Sequence, residues 1–467
     1  MREAPQELVA TLVTRARAAL ERFERFGQDG IDAAVAAAGW AILEPGRNRR
    51  LAELAVQATG LGNVEDKFRK NQRKTLGLLR DLKGVRSVGV IAEDAARGLT
   101  EIARPVGVVA AVTPATNPAA TPANNIINAV KGGNAIVLAP SPRGASTCAL
   151  LVDFVHAELA KVGAPADLVQ LLPEETGRDG LAELMRRADL VVATGSRSNV
   201  RAAYASGTPA LGVGVGNVAA IVLPTADMAA TARRIAISKT FDNATSCSSE
   251  NSLVVVGDAW APLLAALTAE QGVLATTAEK LRLQATLFAG GGLNPKLVAR
   301  SAPEIATQAG LERRPYAAAR LILVEEDGVG AAHPFSGEKL SPVLTLYRVP
   351  DFDAALALVR RLYAHQGAGH SVGVHGATEA QALRLGLELP VCRVIVDQVH
   401  CFAVGGSFDN GLPFSLSMGC GTWGGNSFSD NLNYRHFLNI TRIARPIPEI
   451  VPSEEELLGD YWRRYGR

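Results

Sequence analysis

The feature that most limits how this chain can fold is a repeated alternation of apolar runs with stretches of helical spacing. Strand-length apolar runs fall at residues 105–112, 135–138, 168–172, 190–193 and 218–223. Between them, residues 123–131, 146–161, 180–187 and 198–206 carry apolar side chains three and four apart, the spacing of a helix face. Strands and helices in that order build a parallel, doubly wound sheet. A second set of runs follows Asp227, at 253–256, 321–324, 343–347, 372–374 and 394–396. The expected fold class is therefore α/β, with two doubly wound parallel-sheet domains. At 467 residues the chain exceeds what one core sustains, in keeping with two or three domains.

Several classes of function are disfavoured by what surrounds this pattern. A net charge of +2 argues against a nucleic-acid binder or an acidic-tail protein. The first 26 residues read as an amphipathic helix (Leu8, Leu12, Ala16, Leu20, Phe23), without the apolar core of a signal peptide. No run is long and apolar enough to span a bilayer, so no membrane partner is expected. Five cysteines, Cys148, Cys247, Cys392, Cys401 and Cys420, contain no CxxC pair. Such usage suits free thiols in a reducing cytoplasm and disfavours a disulfide framework or a structural zinc. The basic run Lys67-Phe-Arg-Lys-Asn-Gln-Arg-Lys74 reads as a solvated helix face. Residues 405–426 are rich in glycine but mixed with Phe, Leu and Trp, the composition of an ordered loop.

Six places carry candidate chemistry. In Phe241-Asp-Asn-Ala-Thr-Ser-Cys247-Ser-Ser-Glu-Asn, a thiol stands among small polar residues ahead of a predicted strand. There it serves either as a nucleophile facing a cleft or as a buried structural cysteine. The turn Val112-Thr113-Pro114-Ala-Thr-Asn117-Pro118 holds an amide rigidly at a strand end, as an oxyanion donor or as a cap on the next helix. Leu138-Ala-Pro-Ser141-Pro-Arg143 follows the second strand, where a dinucleotide's adenosine ribose lies; it has no acid, and Arg143 either meets a 2′-phosphate or faces solvent. Thr194-Gly195-Ser196 opens a helix whose backbone N–H groups attract phosphate. Gly212-Val-Gly214-Val-Gly216-Asn fails the G-x-G-x-x-G spacing and reads as a strand entry where a side chain would block a ligand. His365, His370 and His375 are five apart and would not share a helix face, which argues against a metal site; one of them can line the cleft as a proton acceptor.

Taken together, the chain resembles the aldehyde dehydrogenase superfamily, and within it the coenzyme-A-acylating branch. The resemblance rests on Arg104-Pro-Val-Gly-Val-Val, Thr113-Pro-Ala-Thr-Asn-Pro, Ala139-Pro-Ser-Pro-Arg, Phe241-Asp-Asn, Glu338-Lys-Leu-Ser-Pro342-Val-Leu and Gly419-Cys-Gly-Thr-Trp-Gly-Gly-Asn426. It implies Cys247 as catalytic thiol, Asn117 as oxyanion donor, Glu338 on the nicotinamide ribose and Thr194, Gly195 and Ser196 on the pyrophosphate. Thr113, Pro114, Ser141, Arg143, Gly214, Gly216 and Pro342 complete the expected cofactor site, and His370 is the histidine expected in catalysis. The implied cofactor is NADP or NAD, with coenzyme A as co-substrate and a short aldehyde as substrate. The domains implied are 1–225 for the dinucleotide (88–104 forming part of an oligomerisation arm), 226–432 for the thiol and 433–467 as a C-terminal arm, in a homodimer or homotetramer.

One departure narrows the branch. Hydrolytic members carry a glutamate where this chain has Leu211-Gly-Val-Gly-Val-Gly216, and no acid is present there. Ala193-Thr-Gly-Ser-Arg197-Ser-Asn-Val-Arg201 and Asn433-Tyr-Arg-His-Phe-Leu-Asn-Ile are similar to acylating enzymes of sulfoacetaldehyde. Acetaldehyde, propionaldehyde and succinic semialdehyde are alternative substrates. Arg201, Arg393 and Arg435 are the guanidinium groups available to a sulfonate. Three rivals stand beside this reading: a hydrolytic aldehyde dehydrogenase, a cysteine hydrolase pairing Cys247 with His370, and a non-catalytic family member.

Overall fold

The computed structural model describes residues 4–467. The first quarter is helical, as its spacing predicts: Pro5–Phe23, Gly27–Leu43, Pro45–Thr59 and Val64–Leu82. A five-stranded parallel sheet follows, ordered in space Val169–Leu171, Ala135–Pro140, Val108–Thr113, Leu190–Ala193, Ala210–Gly212. The chain starts at the middle strand, winds outward, then returns to build the other side. That reversal leaves a switch point between the carboxyl ends of Val108–Thr113 and Leu190–Ala193, where doubly wound sheets open a crevice. Helices cover this sheet, and the buried runs of Val, Ala, Ile and Leu are what a parallel strand covered on both faces requires.

The second sheet has seven parallel strands, in the spatial order Gly272–Leu274, Leu321–Glu325, Val343–Val349, Glu250–Val256, Val218–Val222, Val372–His375, Val394–Val396. Here the structure corrects the sequence reading. The run at 218–223 belongs to this sheet, pairing with Glu250–Val256 and Val372–His375. The first sheet is completed instead by Ala210–Gly212, paired with Leu190–Ala193. The chain thus changes sheets between Gly212 and Val218, ahead of the boundary expected at 225. Gly272–Leu274 was not anticipated either.

A third sheet is antiparallel: Gly89–Asp94, Leu99–Pro105 and Leu438–Ala444. Leu99–Pro105 is thus paired with the C-terminal strand, and an exposed helix Glu454–Tyr465 lies beyond it. The core of the first sheet also takes in Phe414, Leu432 and Phe437, so the C-terminal segment folds back onto it. Among the described residues, no helix is long and apolar enough to cross a membrane.

Candidate active site

Because Gly212 and Val218 are joined without an intervening helix, the carboxyl end of the first sheet abuts the amino end of the second. A cavity of about 490 Å³ opens there. The first sheet contributes Thr113, Pro114, Asn117, Thr194, Gly195 and Ser196 from the two switch-point turns. The crossing contributes Val213 to Gly216, and the turn ahead of Glu250–Val256 contributes Thr245 to Ser248, with Cys247 half-buried at its centre. Lys74 and Glu338 are the two charged side chains on the wall, among the described residues.

The turn that presents Cys247 is strained. Asp242, Asn243 and Ala244 have φ of 51°, 51° and 59°, three successive non-glycine residues in the left-handed region. Each such residue costs on the order of 1 kcal/mol and persists only where its surroundings over-determine it. Asp242 supplies that. Its Oδ1 accepts from the Asn63 backbone N–H (3.0 Å), and its Oδ2 accepts from Lys70 Nζ (2.6 Å), Lys67 Nζ (3.1 Å) and Thr245 Oγ1 (2.7 Å). Its own N–H donates to Asp66 Oδ2 (2.8 Å), and Asn243 Nδ2 donates to the Ala299 carbonyl (3.1 Å). Burial alone would raise the Asp242 carboxyl, but Lys70 and Lys67 beside it hold it below the usual carboxylate range.

Those lysines overturn the solvated-face reading of residues 67–74. Lys67, Lys70 and Lys74 are only 4%, 6% and 8% exposed, and they continue the buried stripe of Val64–Leu82 that includes Leu78 and Leu82. Asn63 caps this helix by accepting from the Asp66 N–H, with Glu65 and Asp66 in its first turn. Lys70 Nζ also donates to Asn117 Oδ1 (2.8 Å). That contact fixes the Asn117 amide with its oxygen turned to Lys70 and its Nδ2 group left for the cavity. Asn117 does not cap the next helix with its side chain, since Ala120–Lys131 begins without one.

Glu338, Thr113 and Ser141 fit a nicotinamide dinucleotide. All three line the cavity, and Glu338 Oε1, Thr113 Oγ1 and Ser141 Oγ are buried with no hydrogen-bond partner. Buried polar oxygens left unpaired are costly, and ribose hydroxyls are the donors and acceptors that satisfy them. Burial pushes the Glu338 carboxyl up to about 8, against the pull of Lys239 and Lys339. The helix Arg197–Ala205 opens at the cavity, capped by Ser196, whose hydroxyl accepts from the Asn199 N–H.

Other expected residues lie elsewhere. Arg143 is exposed and donates to the Thr59 carbonyl (3.4 Å). Pro342 is buried at the foot of Val343–Val349, its carbonyl accepting from the Ile322 N–H (3.0 Å), so it serves the sheet. None of the three histidines lines the cavity. His370 is fully buried with Nδ1 against Ser371 Oγ (2.8 Å), and burial, helped by Arg393, pushes it down to about 3. It is a neutral interior ring and not a cleft-wall proton acceptor. Arg393 is occupied by Asn431 Oδ1 and the carbonyls of His370, Gly419 and Ser429. Arg435 contacts the Tyr434 hydroxyl, and Arg201 lines a neighbouring cavity.

The glycines of 212–216 do line the cavity, but the protein itself needs them small. A methyl on Gly216 would run into the Cys247 carbonyl oxygen, and one on Gly214 would sit 3.1 Å from Cys420 Sγ. Gly216→Ala therefore displaces the Cys247 turn. We expect a loss of roughly 1–3 kcal/mol in unfolding free energy and a larger relative loss in kcat, measured by urea melts and steady-state assay.

Comparison with known proteins fits this geometry. The model of the aldehyde dehydrogenase family matches residues 1–283. The acylating sulfoacetaldehyde dehydrogenase of Cupriavidus necator is 64% identical over 465 residues, covering 100% of this chain and 94% of that protein. The crystal structure of an acetylating aldehyde dehydrogenase from Geobacillus thermoglucosidasius superposes with a TM-score of 0.91 at 35% identity, covering 96% of this chain and 98% of the other. A propionaldehyde dehydrogenase of Rhodopseudomonas palustris, solved with bound CoA and an acylated cysteine, gives 0.83 at 25%, covering 94% and 97%. With two doubly wound sheets meeting at a thiol, and a family match over more than half its length, this chain belongs to the aldehyde dehydrogenase family.

Proposed function

We propose that this chain oxidises a short aldehyde with NADP or NAD and coenzyme A to the acyl-CoA, reversibly, through a thioester on Cys247. The Cys247 thiolate adds to the aldehyde carbon, and the resulting oxyanion is steadied by Asn117 Nδ2 and the Cys247 N–H. When bound, the nicotinamide supplies the hydride acceptor, and loss of that hydride from the former aldehyde carbon leaves Cys247 acylated. The thiolate of coenzyme A then attacks the thioester carbonyl and expels the Cys247 thiolate, so atoms and charge balance. Glu338, Thr113, Ser141 and the Thr194–Ser196 turn hold the dinucleotide. The turn after Ala135–Pro140 carries no carboxylate to repel a 2′-phosphate, which favours NADP.

The observation that carries this reading is the wall around Cys247. Glu338 is its one carboxylate and no histidine lines it, among the described residues. With Glu338 raised to about 8 by burial, most of it is protonated at neutrality, so neither a carboxylate nor a histidine is poised to activate water. The acyl-enzyme persists until a thiol arrives, since thiols need less help than water. Sulfoacetaldehyde is the substrate favoured by the 64% identical relative. The arm, with its exposed outer strands Gly89–Asp94 and Leu438–Ala444, is where copies join as a homodimer or homotetramer. Five free cysteines suit a cytoplasmic enzyme.

The test is a panel of sulfoacetaldehyde, acetaldehyde, propionaldehyde and succinic semialdehyde, each with NAD and NADP, with and without coenzyme A. Multiple turnovers should require coenzyme A, with at most one equivalent of reduced cofactor formed without it. Equal steady-state rates in its absence would overturn the reading in favour of hydrolysis.

A further inference from the structure

Lys74 is a buried ammonium that the protein does not neutralise. Its Nζ donates to the carbonyls of Gly405 (2.7 Å) and Gly406 (3.4 Å), and no carboxylate lies within ion-pair distance among the described residues. Lys67 and Lys70, on the same helix face, share Asp242 and are compensated. An uncompensated buried cation is costly, so one kept at a cavity wall marks where an anion arrives. The position of the charge says which anion. Lys74 lines the 490 Å³ cavity together with Ser246 and Cys247, and a small neighbouring cavity of about 30 Å³ is walled by Lys70, Arg73, Lys74, Asn117 and Ser246, so the ammonium stands beside the turn that carries Cys247. It faces the same space as the thiol, and is set on helix Val64–Leu82, not on the Thr113–Asn117 or Thr194–Ser196 turns. A second observation points the same way. Thr121 also lines the 490 Å³ cavity, is 1% exposed, and its Oγ1 has no hydrogen-bond partner.

We propose that Lys74 Nζ and the Thr121 hydroxyl form the receptor for an anionic group on the aldehyde's tail, selecting a sulfonate-bearing aldehyde over an alkyl one. This rests on the acylating aldehyde dehydrogenase reading above and replaces the three arginines considered from sequence. An ammonium with one donor still unspent and a hydroxyl together offer two charge-assisted hydrogen bonds to a group of three oxygens.

The experiment is the ratio of kcat/KM for sulfoacetaldehyde to that for propionaldehyde, both with coenzyme A, in wild type, Lys74→Met and Thr121→Val. Loss of a charge-assisted bond should lower the ratio by roughly 10- to 100-fold in Lys74→Met and by roughly 10-fold in Thr121→Val. A ratio held at the wild-type value in both variants overturns the receptor. Should Lys74→Met fail to fold, Thr121→Val and the wild-type pH profile decide. Burial, opposed by Cys401 and reinforced by Arg73 and Lys70, lowers Lys74 to about 7. The groups facing it are Cys401 from the helix His400–Ala403, the Gly405 and Gly406 carbonyls, and Lys70 and Arg73 on its own helix. KM for sulfoacetaldehyde should therefore rise as pH climbs above about 7 while KM for propionaldehyde does not; parallel profiles overturn the receptor. If wild type uses propionaldehyde with coenzyme A but the ratio ignores both variants, the receptor alone falls. If wild type oxidises no aldehyde in a coenzyme-A-dependent way, the underlying reading falls instead.

Discussion

Replacing Cys247 with alanine should leave a folded protein whose coenzyme-A-dependent cofactor reduction is lower by roughly 10⁴-fold or more. Loss on that scale follows from the removal of a covalent route, since no other group on the wall can carry the acyl unit. Cys401 is the one other thiol lining the cavity, and it is 7% exposed. Burial pushes both thiols up to about 12, with Glu338 and Cys420 adding to the effect at Cys247. Reactivity is thus decided by presentation: Cys247 is half-buried on a left-handed turn that projects into the cavity, and Cys401 is not. The sign of the pH effect follows. Below a raised thiol pKa, each pH unit lost removes tenfold of the thiolate, so alkylation of Cys247 by iodoacetamide should accelerate steadily from pH 7 upward, and Cys247→Ala should abolish that modification. Substantial turnover by Cys247→Ala, measured from the absorbance of the reduced nicotinamide, would remove the thioester from the account.

The alternation of apolar runs and helical spacing made the two sheets legible, because a covered parallel strand reads as an unbroken apolar run. It could not say which sheet each run joins. Val218–Val222 has the composition of its neighbours on either side, and its partner is fixed by the five residues that separate it from Gly212, too few for a crossover helix. Gly272–Leu274 is too short to leave a pattern. Within the site, Cys247, Asn117, Ser141 and the Thr194–Ser196 turn were legible from small polar residues at strand ends, and Glu338 only through the family resemblance. Lys70 and Lys74 were missed for one reason: a run of basic residues is normally solvated. The overlooked signal was phase. Residues 67, 70, 74, 78 and 82 recur at three and four, so the lysines lie on the stripe that carries Leu78 and Leu82. His370 and Pro342 failed in the opposite way, since neither motif nor spacing reports that a strand start is fully enclosed.

The left-handed turn and the buried lysines are one structural unit, and Asp242 is its pivot. Asp242→Asn keeps the shape of the side chain but removes the charge that two lysines, 4% and 6% exposed, depend on. Breaking a buried ion pair from one side costs about 3–5 kcal/mol, because the remaining charge is stranded. The urea unfolding midpoint should drop accordingly. The loss should extend to catalysis in the protein that remains folded. Lys70, no longer held by the carboxylate, also positions Asn117 Oδ1, and three left-handed residues ahead of Cys247 lose what over-determines them. Misplacing an oxyanion donor costs roughly 10²–10³-fold in kcat. Acid should imitate the substitution in wild type. The folded-state pKa of Asp242 is depressed, so its contribution to stability is complete above the ordinary aspartate pKa of about 4 and drains away as pH falls through the lower folded value. Wild type should accordingly lose stability below about pH 4 more steeply than Asp242→Asn, and the two stability curves should converge in acid. Curves that stay parallel down to the acid transition would show that the carboxylate holds neither lysine, and that the strained turn is secured by its backbone contacts instead.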